Sequence, residues 1–405
     1  MTDARTLLVT VMGRDRPGVT SALLGALAGH DVAVLDVEQV TIRGRLVLGV
    51  LVSAPRDSAA AERAVRTAVE PLGLEVDVAE GVDRSDGTGS GERSHVTVLG
   101  SPLRPAALAG VAGRISDYGG NIDRIVRIAA YPVTAIELEV SGVRTEMLRA
   151  GVAAEAPGLQ VDLAVQRAGL HRRAKRLVVM DVDSTLVQGE VIELLAARSG
   201  HAAEVARLTE AAMRGELDFA DSLRARVALL EGVPATVLDE IRGEVQLTPG
   251  ARTLVRTLKR LDHRFAVVSG GFTQVTDGIV AELGIDFSAA NTLEVRDGVL
   301  TGRLVGPVVD RAGKAAALER FAREAGVPLS QTVAIGDGAN DLDMLALAGL
   351  GIAFNAKPAV REAADTAVNV PFLDAILYLL GISREEVEAA DAEEGLVTPA
   401  PPVPG

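Results

Sequence analysis

The chain has 405 residues, with 41 Lys and Arg against 55 Asp and Glu, for a formal net charge of −14. Its length exceeds the ~250–300 residues that one hydrophobic core sustains, so two or three domains are expected. The absence of Cys excludes disulfides, thiolate metal sites and cysteine nucleophiles, and the acidic balance argues against nucleic acid or an anionic membrane surface as partner.

The first apolar run, Leu7–Met12, is closed by Gly13-Arg14-Asp15-Arg16. That is too short and too charged for a signal segment, and no stretch approaches the ~20 apolar residues of a spanning helix. A cytoplasmic protein is expected. Beyond this run the chain repeats itself weakly, with a period near ~88 residues. Thr10-Val11-Met12-Gly13 is matched by Thr97-Val98-Leu99-Gly100, and Arg16-Pro17 by Arg104-Pro105. Each copy reads as a strand, a Pro-marked helix, a turn and two alternating strands: Val34–Ile42 with Leu46–Val52, and Ile125–Ala129 with Val133–Val140. A Gly/Ser-rich linker over 82–94 separates them. The two copies resemble a pair of ACT domains, ferredoxin-like α+β modules that often bind amino acids, over 1–81 and 95–168. The loop signature is fullest at Gly13-Arg14-Asp15-Arg16-Pro17-Gly18, where the resemblance implies a regulatory ligand near Asp15 and Gly18. The second copy has Ala106 in place of that glycine, and a purely structural, dimerising role stays open for both.

From Lys175 the pattern changes to short apolar runs separated by helical stretches: Arg176–Asp181, Arg264–Ser269, Thr332–Asp337 and Leu350–Phe354. This is the signature of a doubly wound parallel α/β sheet, here over 172–389. Three runs end at Asp181, Ser269 and Asp337, and ligands of such sheets bind at the carboxyl ends of the strands. An amphipathic helical insert over about 188–247 is placed to cover that end as a cap. The acidic, then Pro-rich residues 390–405 read as a disordered tail.

Asp181 and Asp183, two residues apart after a buried strand, call for a cation, and Mg²⁺ suits an oxygen-only site that also holds phosphate. Gly336-Asp337-Gly338-Ala339-Asn340-Asp341 is a second acidic knot, and between the two come Ser269-Gly270-Gly271 and Lys314, one of only four Lys in the chain. Together these elements describe phosphoryl transfer, with a carboxylate nucleophile, a second carboxylate as acid and base, and cations on the phosphoryl oxygens.

The ordered set D-x-D-S-T, S-G-G, Lys and G-D-G-x-N-D resembles the haloacid-dehalogenase superfamily. The cap, with Met213-Arg214-Gly215-Glu216-Leu217-Asp218-Phe219 and Ser222–Val227, narrows this to the phosphoserine phosphatase family. That resemblance implies hydrolysis of O-phospho-L-serine, with Asp181 as nucleophile and Asp183 as acid, then base. It implies Mg²⁺ on Asp181, Asp183 (through its backbone carbonyl) and Asp337. Glu190 would face the substrate ammonium and Arg226 its carboxylate, and Met213 and Phe219 would form an apolar lid. Ser269, Gly270, Lys314 and Asn340 would hold phosphate or substrate, with Asp341 supporting Lys314. L-serine as regulatory ligand and a homodimer through the ACT domains complete the expectation. Ordinary roles stay open beside these: a surface ion pair for Glu190 and Arg226, core for Met213 and Phe219, a surface position for Lys314, and a helix-dipole contact for Asp341. A transferase using another alcohol and a phosphorylatable amino-acid sensor are the rival functions.

Overall fold

The computed structural model describes residues 5–82, 92–153, 156–213 and 218–399, and every statement below concerns these residues. The chain divides into two compact units, Met1–Ser90 and Gly91–Gly405. Most of the expected linker, residues 83–91, lies outside the described residues.

In the first unit, β1 (Arg5–Arg14), β2 (Val34–Ile42), β3 (Arg45–Ser53) and β4 (Glu75–Val82) form an antiparallel sheet in the order β2-β3-β1-β4. Alternation puts Leu7, Val9 and Val11 of β1 and Leu46, Leu48, Val50 and Val52 of β3 on one face. Two helices cover that face: Val19–Ala28, through Val19, Leu23 and Leu27, and Ser58–Val69, through Ala61, Val65 and Val69. The i, i+4 spacing of both triplets makes one apolar stripe per helix. The unit is therefore βαββαβ, and the sequence reading lacked its last helix and strand. Edge strand β2 is exposed along its whole length, with Val34, Leu35, Val37, Val40 and Ile42 open to solvent.

The second unit begins with the same order of elements: β5 (Ser94–Gly100), helix Pro105–Asp117, β6 (Asn121–Ala129), β7 (Thr134–Ser141), helix Thr145–Ala153 and β8 (Asp162–Arg167). The doubly wound part follows with β9 (Leu177–Asp181), β10 (Arg264–Phe272), β11 (Phe287–Arg296), β12 (Val299–Val305), β13 (Thr332–Gly336), β14 (Gly351–Phe354) and β15 (Thr366–Val368). All these strands belong to one sheet, ordered β12-β11-β10-β9-β13-β14-β15-β8-β5-β7-β6. The central strands β9 and β13 are buried at every residue. Val178 and Met180 point into the core on one face, Leu177 and Val179 into that on the other.

The α+β module and the doubly wound part share this sheet through one antiparallel bridge, Thr366 with Ala164. Side chains reinforce it. Asp162 accepts from the Asn369 amide and from the Asn369 and Val370 N–H groups, and Arg149 Nη1 meets Asp365 Oδ1 at 3.0 Å. A cavity of about 1100 Å³ runs along the junction between Leu99–Pro102 and Pro358–Phe372.

The cap consists of helices Val191–Ser199, Ala202–Met213, Phe219–Ala228 and Thr236–Glu244. It has its own core, where Leu195, Leu223, Val227, Leu238 and Ile241 meet Leu293 and Leu300 of the β11–β12 hairpin. None of the helices is long and apolar enough to cross a membrane.

The expectation of a disordered tail over 390–405 is corrected for residues 390–399, while residues 400–405 lie outside the described residues. A capping box at Ser383 and Glu386 starts helix Arg384–Glu393, and the chain is placed through Pro399. Asp391, fully buried, anchors it: it accepts from Arg256 Nη2 at 2.6 Å, Arg260 Nη1 at 2.6 Å and Thr398 Oγ1 at 2.7 Å. The acidic composition that suggested a solvated tail instead complements two arginines of helix Ala251–Arg260. Burial alone would raise the Asp391 carboxyl, but the hydrogen bonds from Arg256, Thr398 and Arg260 prevail and hold it at about 2.

Asp391→Ala should lower the unfolding free energy by about 1–3 kcal/mol, the range for bonds to a charged group, and with it the denaturant midpoint. The exposed neighbour Glu393→Ala should change that free energy by less than ~0.5 kcal/mol. The Asp391 contribution is fully present above the unfolded carboxyl pKa of ~3.9 and is lost as pH falls towards about 2. Denaturant titration of both variants is the check, and an unchanged midpoint in D391A contradicts the anchoring.

Candidate functional site

Parallel register brings the polar residues together. Asp181 pairs with Val268, so the next residue of β10 is Ser269, and Met180 pairs with Ile335, two residues before Asp337. After Asp181 the backbone leaves the sheet in a wide turn, Val182–Leu186, that puts Ser184 in the left-handed region at φ 56°. A non-glycine residue there is strained, and such strain clusters at functional sites. The turn is fixed by Val182 N donating to Asp181 Oδ1 at 2.8 Å and Ser184 N to Gly189 O at 3.0 Å.

Lys314, fully buried in the first turn of helix Arg311–Ala325, lies 2.8 Å from Asp181 Oδ1 and 2.7 Å from Asp341 Oδ1. Asp341 Oδ2 accepts from Gly338 N, and Asp337 Oδ1 from Thr185 Oγ1 at 3.1 Å. The Lys314 position excludes a surface role. Burial alone would lower its pKa, but the two carboxylates outweigh that and raise it. Burial and the charge of Asp341 push Asp181 well up against the pull of Lys314. Burial, then the charge of Asp341, raises Asp337 to about 6. The cluster thus holds more negative charge than one ammonium neutralises.

Asp181, Asp337 and Asp341 each place a carboxylate oxygen within 4.8 Å of the others. An oxygen-only donor set with surplus negative charge fits a hard divalent cation, so Mg²⁺ passes this test. The Asp183 carboxylate is not part of the group. Its Oδ2 accepts from Ser269 Oγ at 2.7 Å and its Oδ1 from Val191 N, at the start of helix Val191–Ser199, at 3.0 Å. Ser269 Oγ in turn accepts from Gly271 N at 2.7 Å. A Cβ on Gly271 would sit 2.6 Å from Asp183 Oδ2, so glycine is required there.

The cap brings Glu190 and Arg226 to the same crevice. Glu190 Oε1 accepts from Ser184 Oγ at 3.1 Å; burial, then the charges of Asp183 and Asp337, raises its pKa to about 7. Arg226 is 7 % exposed and donates to Ser222 O and Thr209 Oγ1, both at 3.3 Å. Burial lowers its pKa against the attraction of Glu190, Asp183 and Glu193. The two side chains attract each other yet form no ion pair, which departs from the surface-pair alternative. Phe219 opens its helix behind the cap Asp218, whose Oδ2 accepts from Ala220 N at 3.0 Å. Its ring rests where a Cβ on Gly270 would be, 2.9 Å away. Asn340 lies half-buried in the turn Ala339–Asp341. The Met213 side chain is outside the described residues. In the first unit, Asp15 and Gly18 lie in one loop; Gly18 (φ 95°) precedes helix Val19–Ala28 with open space at its Cβ position. Sequence reasoning gave no role to Ser184, Thr185 or Thr209; the first two stand inside the quoted motif, and Thr209 carries no local signal.

The haloacid dehalogenase-like hydrolase family matches residues 178–346, and ACT domain families match 5–79 and 93–166. A phosphoserine phosphatase of Streptomyces coelicolor is 63% identical over 391 residues, covering 96% of this chain and 95% of that protein. One of Mycobacterium tuberculosis is 54% identical over 397 residues, with 95% of each chain covered. Among solved structures, a probable phosphoserine phosphatase from Vibrio cholerae aligns with TM-score 0.57 and 34% identity over 75% of this chain and 90% of that one. A haloacid dehalogenase family hydrolase from Salmonella enterica serovar Typhi aligns with TM-score 0.63 and 28% identity over 71% and 98%.

The charge surplus makes cation binding measurable without turnover. Mg²⁺ should raise the melting temperature in a concentration-dependent way, since a ligand of the native state stabilises it by mass action. Asp337→Asn should weaken that response. A melting temperature indifferent to Mg²⁺ at saturating concentrations contradicts the cation site.

Proposed function

Because the chain belongs to the phosphoserine phosphatases of the haloacid dehalogenase-like hydrolases, we propose that it hydrolyses O-phospho-L-serine to L-serine and phosphate in the cytoplasm. The observation that carries the substrate reading is the Glu190–Arg226 arrangement: two opposite charges, withdrawn from water and not paired with each other. A zwitterionic amino acid satisfies both, its ammonium at Glu190 and its carboxylate at Arg226. A simple phosphate ester satisfies neither.

Asp181 is the nucleophile. Its Oδ1 is held by Lys314 and Val182 N, leaving Oδ2 to attack phosphorus. As the Asp181–phosphorus bond forms, the bond from phosphorus to the serine oxygen breaks, and Asp183 gives that oxygen a proton. Asp183 then takes a proton from water, which attacks phosphorus and releases phosphate from the aspartyl-phosphate. Ser269 and Val191 N fix Asp183 for both steps. Lys314 offsets charge on the phosphoryl oxygens, and Gly270, Asn340 and the hydroxyl of Ser269 border the space these oxygens take. Mg²⁺, held by Asp181, Asp337 and the Asp183 backbone carbonyl with Asp341 behind Lys314, would supply Lewis-acid neutralisation of the phosphoryl group. Phe219, resting against Gly270, forms the lid that excludes water during transfer.

Regulation is proposed through the first unit. L-serine, the product, would bind at the Gly13–Gly18 loop, with its carboxylate at the uncapped N–H groups of helix Val19–Ala28 and its ammonium at Asp15. A homodimer would cover exposed edge strand β2, since open apolar edges invite pairing.

Asp181→Asn should fold yet lose turnover and covalent phosphate labelling; retained phosphatase activity removes the nucleophile assignment. Arg226→Ala should raise KM for phosphoserine far more than for an aryl phosphate, whereas equal losses on both argue against carboxylate recognition. Calorimetric titration of the full chain with L-serine should show binding that Asp15→Ala weakens. Heat indistinguishable from dilution removes the regulatory reading, and a monomer in sedimentation removes the dimer.

A further inference from the structure

β10 and β11 run in parallel register through Val268 and Ala289, and pairing resumes at Phe272 and Asn291. Between these points β10 passes through Ser269, Gly270 and Gly271 where β11 has one residue, so this segment bulges out of the ladder. The bulge gives the site its Ser269–Asp183 bond. It also takes the Gly270 carbonyl away from β11, and a buried carbonyl without a donor is costly. Asn291, 2 % exposed, meets that need: its Nδ2 donates to Gly270 O at 2.9 Å. Its Oδ1 accepts from Val309 N at 2.8 Å. The orientation of the amide is fixed, because a carbonyl can only accept and an N–H can only donate. Val309 immediately precedes Asp310, which caps helix Arg311–Ala325 through Gly313 N at 2.8 Å. Lys314 sits in the first turn of that helix.

We infer that Asn291 is a positioning residue for phosphoryl transfer. Its carboxamide ties the loop that holds Asp183 to the segment that delivers Lys314 to Asp181. Among side chains of this size, only the carboxamide offers a donor at one end and an acceptor at the other at every pH. The inference rests on the phosphoryl-transfer reading of the site, but not on which ester is the substrate. Gly270 lies at the end of β10 and Val309 in the segment before helix Arg311–Ala325, and Asn291 hydrogen-bonds both. Transfer needs the acid–base group and the ammonium at fixed separation, and a displacement of the order of 1 Å costs roughly a hundredfold in rate.

Two variants test this by steady-state kinetics on phosphoserine and on an aryl phosphate. Asn291→Ala removes both bonds, and its kcat should fall roughly tenfold to a hundredfold on either substrate, with KM changing less. Asn291→Asp keeps the shape. Its carboxylate still accepts from Val309 N, but only its protonated form can donate to Gly270 O. Its kcat, divided by that of the parent at each pH, should therefore rise from alkaline to mildly acidic conditions. A residue that merely satisfies the bulge would lower the melting temperature without imposing that pH trend. Parental kcat in N291A, or a pH-independent N291D ratio, overturns the inference; if N291A does not fold, the N291D ratio decides alone. A parent enzyme that turns over the aryl phosphate but not phosphoserine sinks the substrate assignment, and the positioning role is then read on the aryl phosphate.

Discussion

The crowding of Asp181, Asp183, Glu190, Asp337 and Asp341 around a single buried ammonium is what the rest of the catalytic unit has to accommodate. Removing each ion from water costs several kcal/mol after relaxation, and mutual repulsion adds to that. The fold offsets it with donors aimed one by one. Val182 N serves Asp181, Val191 N serves Asp183, and Gly338 N serves Asp341. Hydroxyls of Ser184, Ser269 and Thr185 serve Glu190, Asp183 and Asp337. Most of these donors exist only because the chain turns sharply at a strand end. The left-handed Ser184 and the bulge at Ser269–Gly271 are local departures from ideal geometry that the charge cluster explains. Even so, the raised Asp181 and Asp337 carboxyls show the compensation to be incomplete, which is the electrostatic case for a divalent cation.

The cap answers a different requirement. A site open to water would screen the charges that hold a substrate, so on the proposed reading the groups that recognise it must be withdrawn from solvent before it arrives. Arg226 donates its hydrogen bonds to neutral partners, Ser222 O and Thr209 Oγ1, while Glu190, Asp183 and Glu193 attract it from a distance. An ion pair between Arg226 and Glu190 would leave neither charge available to a ligand. Phe219 lies on Gly270, so the cap and the Ser269–Gly271 loop are shaped to one another by the absence of a side chain. The hairpin that completes the cap core, β11–β12, is continuous with Asn291, and the cap is therefore seated on the same strand that braces the loop.

Residue patterns with a short range were legible in the sequence. The strand ends at Asp181, Ser269 and Asp337, the cap insert and the α+β repeats follow from apolar runs, Pro and Gly, and an ordered acidic motif. Three features escaped for physical reasons. The β11–β12 hairpin carried its own signal, Asp297-Gly298 with both φ angles positive, but it interrupts a pattern otherwise read as strand and helix alternation. The C-terminal helix was hidden because an acidic stretch looks solvated until its partners are known, and Arg256 and Arg260 are more than 130 positions earlier. Thr209 and Asn291 act through contacts that span unrelated elements, and a single sequence holds no trace of such pairing.

The shared sheet changes what the second α+β module can be. A domain tethered by a linker could vary independently of the catalytic part; this one extends the same sheet at β8 and contributes Asp162, Arg149 and Gln166 to bonds with residues 365–379. Between β8 and the catalytic strand β9 lie only β15, β14 and β13, and β13 leads directly into Asp337. Close packing transmits displacements instead of absorbing them, so a shift of β8 is constrained to act on the strand that leads into Asp337. The loop with Gly18 belongs to the first unit, while the second module, with Ala106 in that place, is built into the framework of the catalytic part.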